Sequence, residues 1–184
     1  MANKKKNEAA SWIKSILLAL VIVFIVRQFL FVPTVVEGVS MMPTLQDGNR
    51  VIVSKIGKLN RFDEIVFHAP DAPKDYVKRI IGLPGDSVEM KNDTLYVNGK
   101  AYKEPYLKES RKSLMAGQLL TEDFTLQELT DKKVVPEGSL FVMGDNRPNS
   151  HDGRAFGFIK KDSVVGKVEA RIWPLNEIGP TRGF

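Results

Sequence analysis

Two residues of this sequence, Ser40 and Lys78, could supply a nucleophile and its base. The chain contains no cysteine, so a covalent hydrolysis would use a serine or threonine hydroxyl, and that hydroxyl needs a base to accept its proton. Ser40 stands in GVSMMPTL (38–45), a few residues after a long apolar run. The stretch is compatible with two interpretations, a linker that leaves the apolar run or a loop that presents a nucleophile.

Lys78 differs from the other lysines because it lies among apolar residues, in DYVKRIIGLPGD (75–86). Burial disfavours the ammonium and lowers the pKa of a lysine, which allows it to act as a base. In a strand, Lys78 would share a face with Tyr76 and Ile80, and Arg79 would point to the other face. We expect one of the two basic side chains to point inward. Alternation alone leaves open whether that residue is Lys78 or an acid-paired Arg79.

The other bases are the two histidines, His68 and His151. Neither has a partner at a characteristic spacing, so we interpret both as surface or loop residues, and a Ser-His-Asp triad is the less favoured alternative. The lack of cysteine excludes disulfides and a thiol nucleophile, and two isolated histidines do not form a zinc motif. We therefore expect no metal ion and no cofactor.

A third group of polar residues lies in MGDNRPNSHDGRAFG (143–157). Its carboxylates, amides and guanidinium groups alternate with glycine and proline, which predicts a tight loop with internal hydrogen bonds and ion pairs. A calcium-binding loop is the alternative, but the D-x-D-x-D-G series and terminal glutamate are missing, and the two arginines would repel a cation.

The elements that must position these residues begin with an apolar N-terminal run. Lysines 4–6 precede a run over 11–32 that is interrupted by two basic residues near its ends. About 20 apolar residues span a bilayer, so we predict a transmembrane anchor over 12–32, ended by Pro33. The lysines place a tail, 1–11, in the cytoplasm and a domain, 33–184, outside. A cleaved secretory signal is the alternative, but no small-x-small site follows the run.

The remaining chain is predicted to be mostly β. Runs rich in β-branched residues and bounded by turn residues predict strands within 49–56, 62–69, 76–83, 138–146 and 163–175. Two turn signals in SVEMKNDTLYVNGKAY (87–102) predict a hairpin, and Thr121 could cap a short helix. The net charge of +5 permits either a nucleic acid or an anionic membrane as partner.

Four motifs, in this order, carry a resemblance to a known family: SMMPT (40–44), RFDEIVF (61–67), YVKRIIGLPGD (76–86) and GDNRPNSHDGR (144–154). Together they resemble the type I signal peptidases of bacteria, in the shorter form typical of Gram-positive organisms. The resemblance implies an all-β catalytic domain of coiled β-sheets. It also implies a serine-lysine endopeptidase that cuts signal peptides from exported preproteins after small-x-small sites. The protein would then be a single-pass protein of the cell membrane, with its catalytic domain on the extracytoplasmic side. Besides preproteins, its expected partner is the phospholipid membrane, and no nucleic acid is expected to bind.

The resemblance also assigns roles to individual residues. Ser40 corresponds to the nucleophile, Lys78 to its general base, and Ser150 to the serine that orients the lysine. Residues that match supporting ion-pair and loop positions are Arg79, Asp145, Asp152 and Arg154. Residues that match substrate contacts, in apolar pockets for small side chains, are Gly38, Met41, Leu45, Val66, Tyr76 and Val77.

The sequence departs from the family pattern at a few places. Gly38 stands where the Gram-negative branch has a serine that donates to the oxyanion, which leaves the Ser40 N–H and an unspecified second donor. Phe62, Glu64 and Gly153 also differ from the common residues. Two other functions are alternatives to a peptidase: a membrane-anchored β-domain binding module, and a self-cleaving Ser/Lys regulator.

Overall fold

A computed structural model of the chain describes residues 2–25, 30–115 and 117–181. It begins with helix α1 (Ala2–Ile25), on which the large apolar side chains from Trp12 to Phe24 are exposed. Within the described ranges, no helix combines the length and the hydropathy of a membrane span. The predicted anchor also includes residues 26–29, which lie outside the described residues.

The predicted end of the anchor at Val32 is wrong, because strand β1 (Phe31–Val35) already includes that residue. In β1, Val32 pairs with Val53 and Pro33 pairs with Ile52. β1 is the outermost strand of its sheet, and an edge strand tolerates a proline because its missing N–H is not needed by a second neighbour. Pro33 therefore lies within a strand and does not end a helix.

The domain is mostly β, as predicted. The other strands are β2 (Arg50–Ser54), β3 (Glu64–His68), β4 (Asp75–Gly82), β5 (Val88–Lys91), β6 (Thr94–Val97), β7 (Lys100–Tyr102), β8 (Phe124–Thr125), β9 (Ser139–Met143), β10 (Ile159–Lys160) and β11 (Val164–Trp173). The short α-helices are α2 (Lys108–Lys112), α3 (Leu126–Thr130) and α4 (Gly153–Phe156). The 3₁₀ helices are Pro105–Leu107, Arg147–Asn149, Lys161–Ser163 and Leu175–Glu177.

These strands form a large and a small antiparallel sheet. The seven-stranded sheet has the order β1-β2-β11-β3-β4-β9-β10, and the four-stranded sheet has the order β7-β6-β5-β8. The small sheet comes from residues between β4 and β9, which we call the insert (83–138). The predicted hairpin is confirmed, and two tight turns connect β5, β6 and β7. Asn92, Asp93, Asn98 and Gly99 have positive φ in those turns, as such hairpin turns require.

The strand β4 has buried side chains on both faces. Ile81 packs into a cluster with Phe141 and residues of the small sheet, whereas Ile80 packs with Ile65 and Val142 on the other face. Successive side chains of a strand point to opposite faces, so every residue in the second half of β4 is buried. This double coverage decides the environment of both Lys78 and Arg79.

The insert also corrects one cap prediction. Thr125, and not Thr121, caps the helix α3, and it forms a reciprocal capping box with Glu128. Thr121 is instead buried and accepts a hydrogen bond from Arg147 at 3.2 Å.

Candidate active site

Ser40 lies in a turn that follows β1, and apolar side chains of that turn anchor it to the core. Met41 and Leu45 are buried in a cluster with Val66 and residues of β2 and β11. Gly38 has a φ of +85°, a region that favours glycine, and its N–H donates to Asp47 Oδ1 at 2.7 Å. The turn is therefore fixed on its buried side while Ser40 itself stays partly exposed.

A second set of bonds holds this turn from the side. The Asn146 N–H donates to the Ser40 carbonyl at 3.0 Å, and its side-chain amide donates to the Val39 carbonyl at 3.0 Å. The Thr44 hydroxyl donates to Asp145 Oδ2 at 2.5 Å. Two consecutive residues of the loop 144–154 thus bind the chain on both sides of Ser40, across about a hundred residues of sequence.

The Lys78 ammonium reaches Ser40 from β4. Its Nζ donates to Ser40 Oγ at 2.7 Å and to the Val77 carbonyl at 3.1 Å, and it lies 5.2 Å from the centroid of the Tyr76 ring. Only 3% of Lys78 is exposed. This burial lowers the pKa of Lys78 from its ordinary value to about 8, although the carboxylates of Asp152 and Asp145 oppose the change.

Arg79 is buried on the opposite face of β4, in a cluster with two carboxylates. It binds Asp145 through Nε at 2.8 Å and through NH2 at 2.5 Å, and it donates to Glu64 Oε1 at 2.9 Å and to the Phe62 carbonyl at 2.8 Å. Burial raises the pKa of Glu64, and the Arg79 charge only partly opposes this. The expectation that one of the two basic residues points inward was too narrow, because both faces of β4 are covered and both residues are buried.

Arg154 and Asp152 close the loop 144–154. Asp152 is fully buried, accepts from Arg154 at 2.8 and 2.9 Å and from the Gly144 N–H at 2.9 Å, and caps the helix α4. Burial alone would raise the pKa of Asp152, but these bonds and the Arg154 charge leave it below its usual value. The predicted loop with internal ion pairs is therefore what the structure has.

Ser150 lies close to Ser40 without binding Lys78. Among the described residues its buried Oγ makes no hydrogen bond of normal distance and angle, although the hydroxyl is near enough to Asp152 to help lower the pKa of that carboxylate. An atom placed at the missing Cβ of Gly144 would be 2.2 Å from this oxygen and 2.5 Å from the Ser40 carbonyl oxygen. Gly144 thus lies between the two serines, where there is no room for a side chain. The role of Ser150 in orienting Lys78 stays a prediction.

An open cleft of about 520 Å³ lies over Ser40 and Lys78. Of the predicted substrate contacts, Leu45 is fully buried in the core and does not line it. The others do line the cleft: Gly38, Met41, Val66, Tyr76 and Val77. Residues that the sequence did not single out as contacts also line it, namely Thr34, Val35, Val36, Glu37, Val39, Lys74, Asp75, Asn149 and His151. Their nearness in sequence to Ser40, Lys78 and Ser150 is the signal that could have found them.

The histidines are at the rim of this region. His68 pairs with Asp75 at 2.6 Å, and His151 pairs with Asp71; both rings are largely exposed. The hydrogen bond from His151 lowers the pKa of Asp71. Neither ring bonds to Ser40 or Lys78 among the described residues, in which no acidic, histidine or cysteine cluster suits a metal ion either.

The sequence and the fold both match those of known proteins. The family described as signal peptidase, peptidase S26, matches residues 9–173. Signal peptidase I of Bacillus caldolyticus is 50% identical over 181 residues, covering 96% of this chain and 97% of its own length. Signal peptidase IB of Staphylococcus aureus is 48% identical over 180 residues, covering 94% and 93%. The crystal structure of a signal peptidase I from Enterococcus faecalis V583 is 47% identical with a TM-score of 0.60, and the match covers 61% of this chain and 97% of that one.

Proposed function

Since this chain belongs to the signal peptidase family S26, it is a serine endopeptidase that removes signal peptides from exported preproteins, and we propose that Ser40 and Lys78 are its catalytic residues. The observation that carries the assignment is the 2.7 Å contact between Lys78 Nζ and Ser40 Oγ. That distance is within the range in which a base can accept a hydroxyl proton. The binding module and the self-cleaving regulator are not supported by these relatives.

In the proposed reaction the neutral Lys78 amine removes the Ser40 proton while Oγ attacks the carbonyl carbon of the scissile bond. Lys78 then returns the proton to the departing amine, and an acyl-enzyme ester remains on Ser40. Lys78 next takes a proton from a water molecule as its oxygen attacks the ester carbonyl carbon. Lys78 then gives that proton to Ser40 Oγ as the bond between Oγ and the acyl carbon breaks, which releases the carboxyl product and restores the Ser40 hydroxyl and the neutral amine. Burial of Lys78 supports this role, because it makes the neutral amine available near pH 8.

Negative charge develops on the carbonyl oxygen of the substrate during both attacks. The Ser40 N–H is the first candidate to stabilise it, since it makes no hydrogen bond within the described residues. The Gly38 N–H is already bound to Asp47, so it is not free to act as the second donor. The missing side chain at Gly38 leaves that second position to another group.

The substrate is proposed to bind as an extended strand along the cleft. The walls are the backbone of 34–38 and of β4, and backbone pairing with an extended peptide would set the register. Met41, Val66 and Val77 offer apolar contacts beside Ser40, which suit small side chains before the cleaved bond. Ser150 is proposed to orient Lys78 during the reaction. Arg79, Asp145, Asp152 and Arg154 are proposed to support the geometry and not the chemistry.

The location at the membrane is the second part of the proposal. We propose that the apolar segment from Trp12 to the start of β1 is a single-pass anchor, with 1–11 in the cytoplasm and the domain outside. The apolar side chains of α1 between Trp12 and Phe24 support it, because they are exposed and therefore available to a hydrocarbon environment. Further exposed apolar residues, which suit contact with phospholipid, are Val35, Val39, Met42, Trp173, Leu175 and Ile178.

Two substitutions test the catalytic assignment in the full chain. Purified Ser40→Ala and Lys78→Ala should keep the wild-type circular dichroism spectrum and lose cleavage of a preprotein with an Ala-x-Ala site. The control is Lys132→Ala, because Lys132 is an exposed lysine that does not line the cleft and should keep activity. Cleavage by either dyad variant at more than about a hundredth of the wild-type rate would contradict the assignment, since such residues contribute several powers of ten.

Topology is tested separately. Protease added to intact cells after wall removal should digest 33–184 and spare an epitope fused to the N-terminus. Protection of the domain would contradict the proposed orientation.

A further inference from the structure

Arg147 is a fully buried arginine in the loop 144–154 that the proposed mechanism does not use. Its side chain has no exposed surface, so its charge needs a partner in the interior. That partner is Glu104 of the insert, with which NH2 forms a salt bridge. NH2 also lies 3.3 Å from the Tyr106 hydroxyl, and NH1 donates to Thr121 at 3.2 Å. All three partners belong to the insert.

The same guanidinium is linked through Gly144 to the turn 38–45 that carries Ser40, which we call the nucleophile turn. Arg147 Nε donates to the Gly144 carbonyl at 3.0 Å. Gly144 has no room for a side chain, because an added Cβ would lie 2.5 Å from the Ser40 carbonyl oxygen. The neighbouring Asn146 N–H binds that same oxygen at 3.0 Å. A displacement of Gly144 would therefore push directly on the backbone of Ser40.

Glu104 is itself held rigidly by the insert. It immediately precedes the 3₁₀ helix Pro105–Leu107, its carbonyl accepts from the Leu107 N–H at 3.0 Å, and its Oε1 accepts from the Tyr106 hydroxyl at 2.7 Å. Its side chain is fully buried. The other oxygen, Oε2, faces outward to Arg111 at 3.2 Å. Glu104 thus has an inner partner that leads to the active site and an outer partner that does not.

We propose that Glu104 is a positioning residue for the nucleophile, and that it acts through Arg147 and Gly144 on the backbone of Ser40. The insert is then part of the catalytic apparatus and not merely an appended sheet. This inference rests on the proposed function, because it takes Ser40 to be the nucleophile. Its physical basis is that a misplacement of about 1 Å at a reacting group can slow a reaction on the order of 100-fold.

The variants Glu104→Gln and Glu104→Asp test the proposal. The first removes the charge at constant shape, and the second keeps the charge but withdraws it from Arg147. In the full chain in detergent, both should lower kcat on the order of 10- to 100-fold. KM should stay within about twofold, because none of the altered contacts lines the cleft. The acid limb of the kcat/KM profile should keep its midpoint, because burial of Lys78 is unchanged.

The control is Arg111→Gln, which removes the outer partner of the same carboxylate. It should lower the melting temperature without lowering kcat more than about twofold, because it leaves the contacts of Arg147 intact. If Glu104 had only a structural role, Arg111→Gln and the Glu104 variants would lower kcat equally whenever they lower stability equally. Arg147→Met should reproduce the loss in kcat, and Glu104→Gln added to it should cost nothing further, since both changes break one path.

The proposal is overturned if folded Glu104→Gln and Glu104→Asp keep wild-type kcat, if Arg111→Gln lowers kcat as much as they do, or if the losses of Glu104→Gln and Arg147→Met multiply. The proposal is also overturned if the Glu104 variants shift the midpoint of the acid limb of the kcat/KM profile but leave its plateau unchanged. Such a shift would mean that they change the pKa of Lys78 and not the position of Ser40. Failure of the catalytic assignment has a different signature, which is cleavage by Ser40→Ala.

Discussion

Replacing Lys78, the proposed general base, should make the protein more stable at neutral pH. Lys78 is buried with a pKa of about 8, against an ordinary 10.5. A pKa difference of this size corresponds to about 3 kcal/mol of unfavourable free energy for the ammonium in the folded state. Lys78→Met removes that charge at similar length. It also removes the hydrogen bond to Ser40, a loss of about 1 kcal/mol, so we expect a net gain of about 2 kcal/mol at pH 7.

The sign of the pH dependence follows from proton binding. Between about pH 8 and 10.5 the unfolded chain holds a proton on Lys78 that the folded protein has lost, so wild-type stability from this group rises with pH across that window. Below pH 8 both states are protonated and the full penalty applies. The advantage of Lys78→Met should therefore shrink as pH rises, and above pH 10.5 the variant should be less stable by about 1 kcal/mol.

The assay is urea unfolding of the full chain in detergent, followed by tryptophan fluorescence at pH 7 and at several values up to 10.5. The difference between variant and wild type at each pH cancels the other titrating groups. Lys74→Met, a change at an exposed lysine of the same strand region, should stay within about 0.5 kcal/mol throughout. If Lys78→Met is less stable at pH 7, or if its advantage does not change with pH, the argument that Lys78 carries a depressed pKa is refuted.

Three further results are expected. The rate constant kcat/KM should rise about tenfold per pH unit and level off near pH 8, because only neutral Lys78 is a base; a profile that is flat from acidic to alkaline pH would contradict that role. Asp145→Asn should lower the free energy of unfolding by about 1.5 to 3 kcal/mol in urea titrations, because it removes one of the two carboxylates that pair with buried Arg79 and leaves only Glu64; a loss under about 1 kcal/mol would contradict it. Gly144→Ala should abolish preprotein cleavage, because its Cβ would lie 2.5 Å from the Ser40 carbonyl oxygen; wild-type kcat would contradict it.

A matched control exists for the last of these. Gly166→Ala places a Cβ 2.3 Å from the Ser54 carbonyl oxygen, a clash of similar severity between β11 and β2. It should lower stability as Gly144→Ala does and should keep a far larger fraction of wild-type kcat, since it does not contact the nucleophile turn.

Much of the fold could be predicted because its signals are local. Runs of β-branched residues predicted β2, β3, β4, β9 and β11, and the turn residues at Asn92 and Asn98 predicted the strands that they join. The end of the N-terminal helix could not be predicted in this way. Val32 and Pro33 are apolar and follow a helical run, yet pairing with β2 places them in an edge strand, and pairing is not a local property.

The candidate site shows the same division between features that local sequence predicts and features that depend on distant contacts. The sequence by itself determined the chemistry: without cysteine, and with two isolated histidines, it restricted the nucleophile to a hydroxyl and favoured Lys78 as its base, because residue type fixes which groups can exchange protons. Only the tertiary structure decided that Lys78 and Arg79 are both buried, that Leu45 belongs to the core, and that Glu104 and Arg147 connect the insert to Ser40. Those facts depend on the layers that cover β4 and on contacts between residues about 40 positions apart, and period-2 alternation specifies neither.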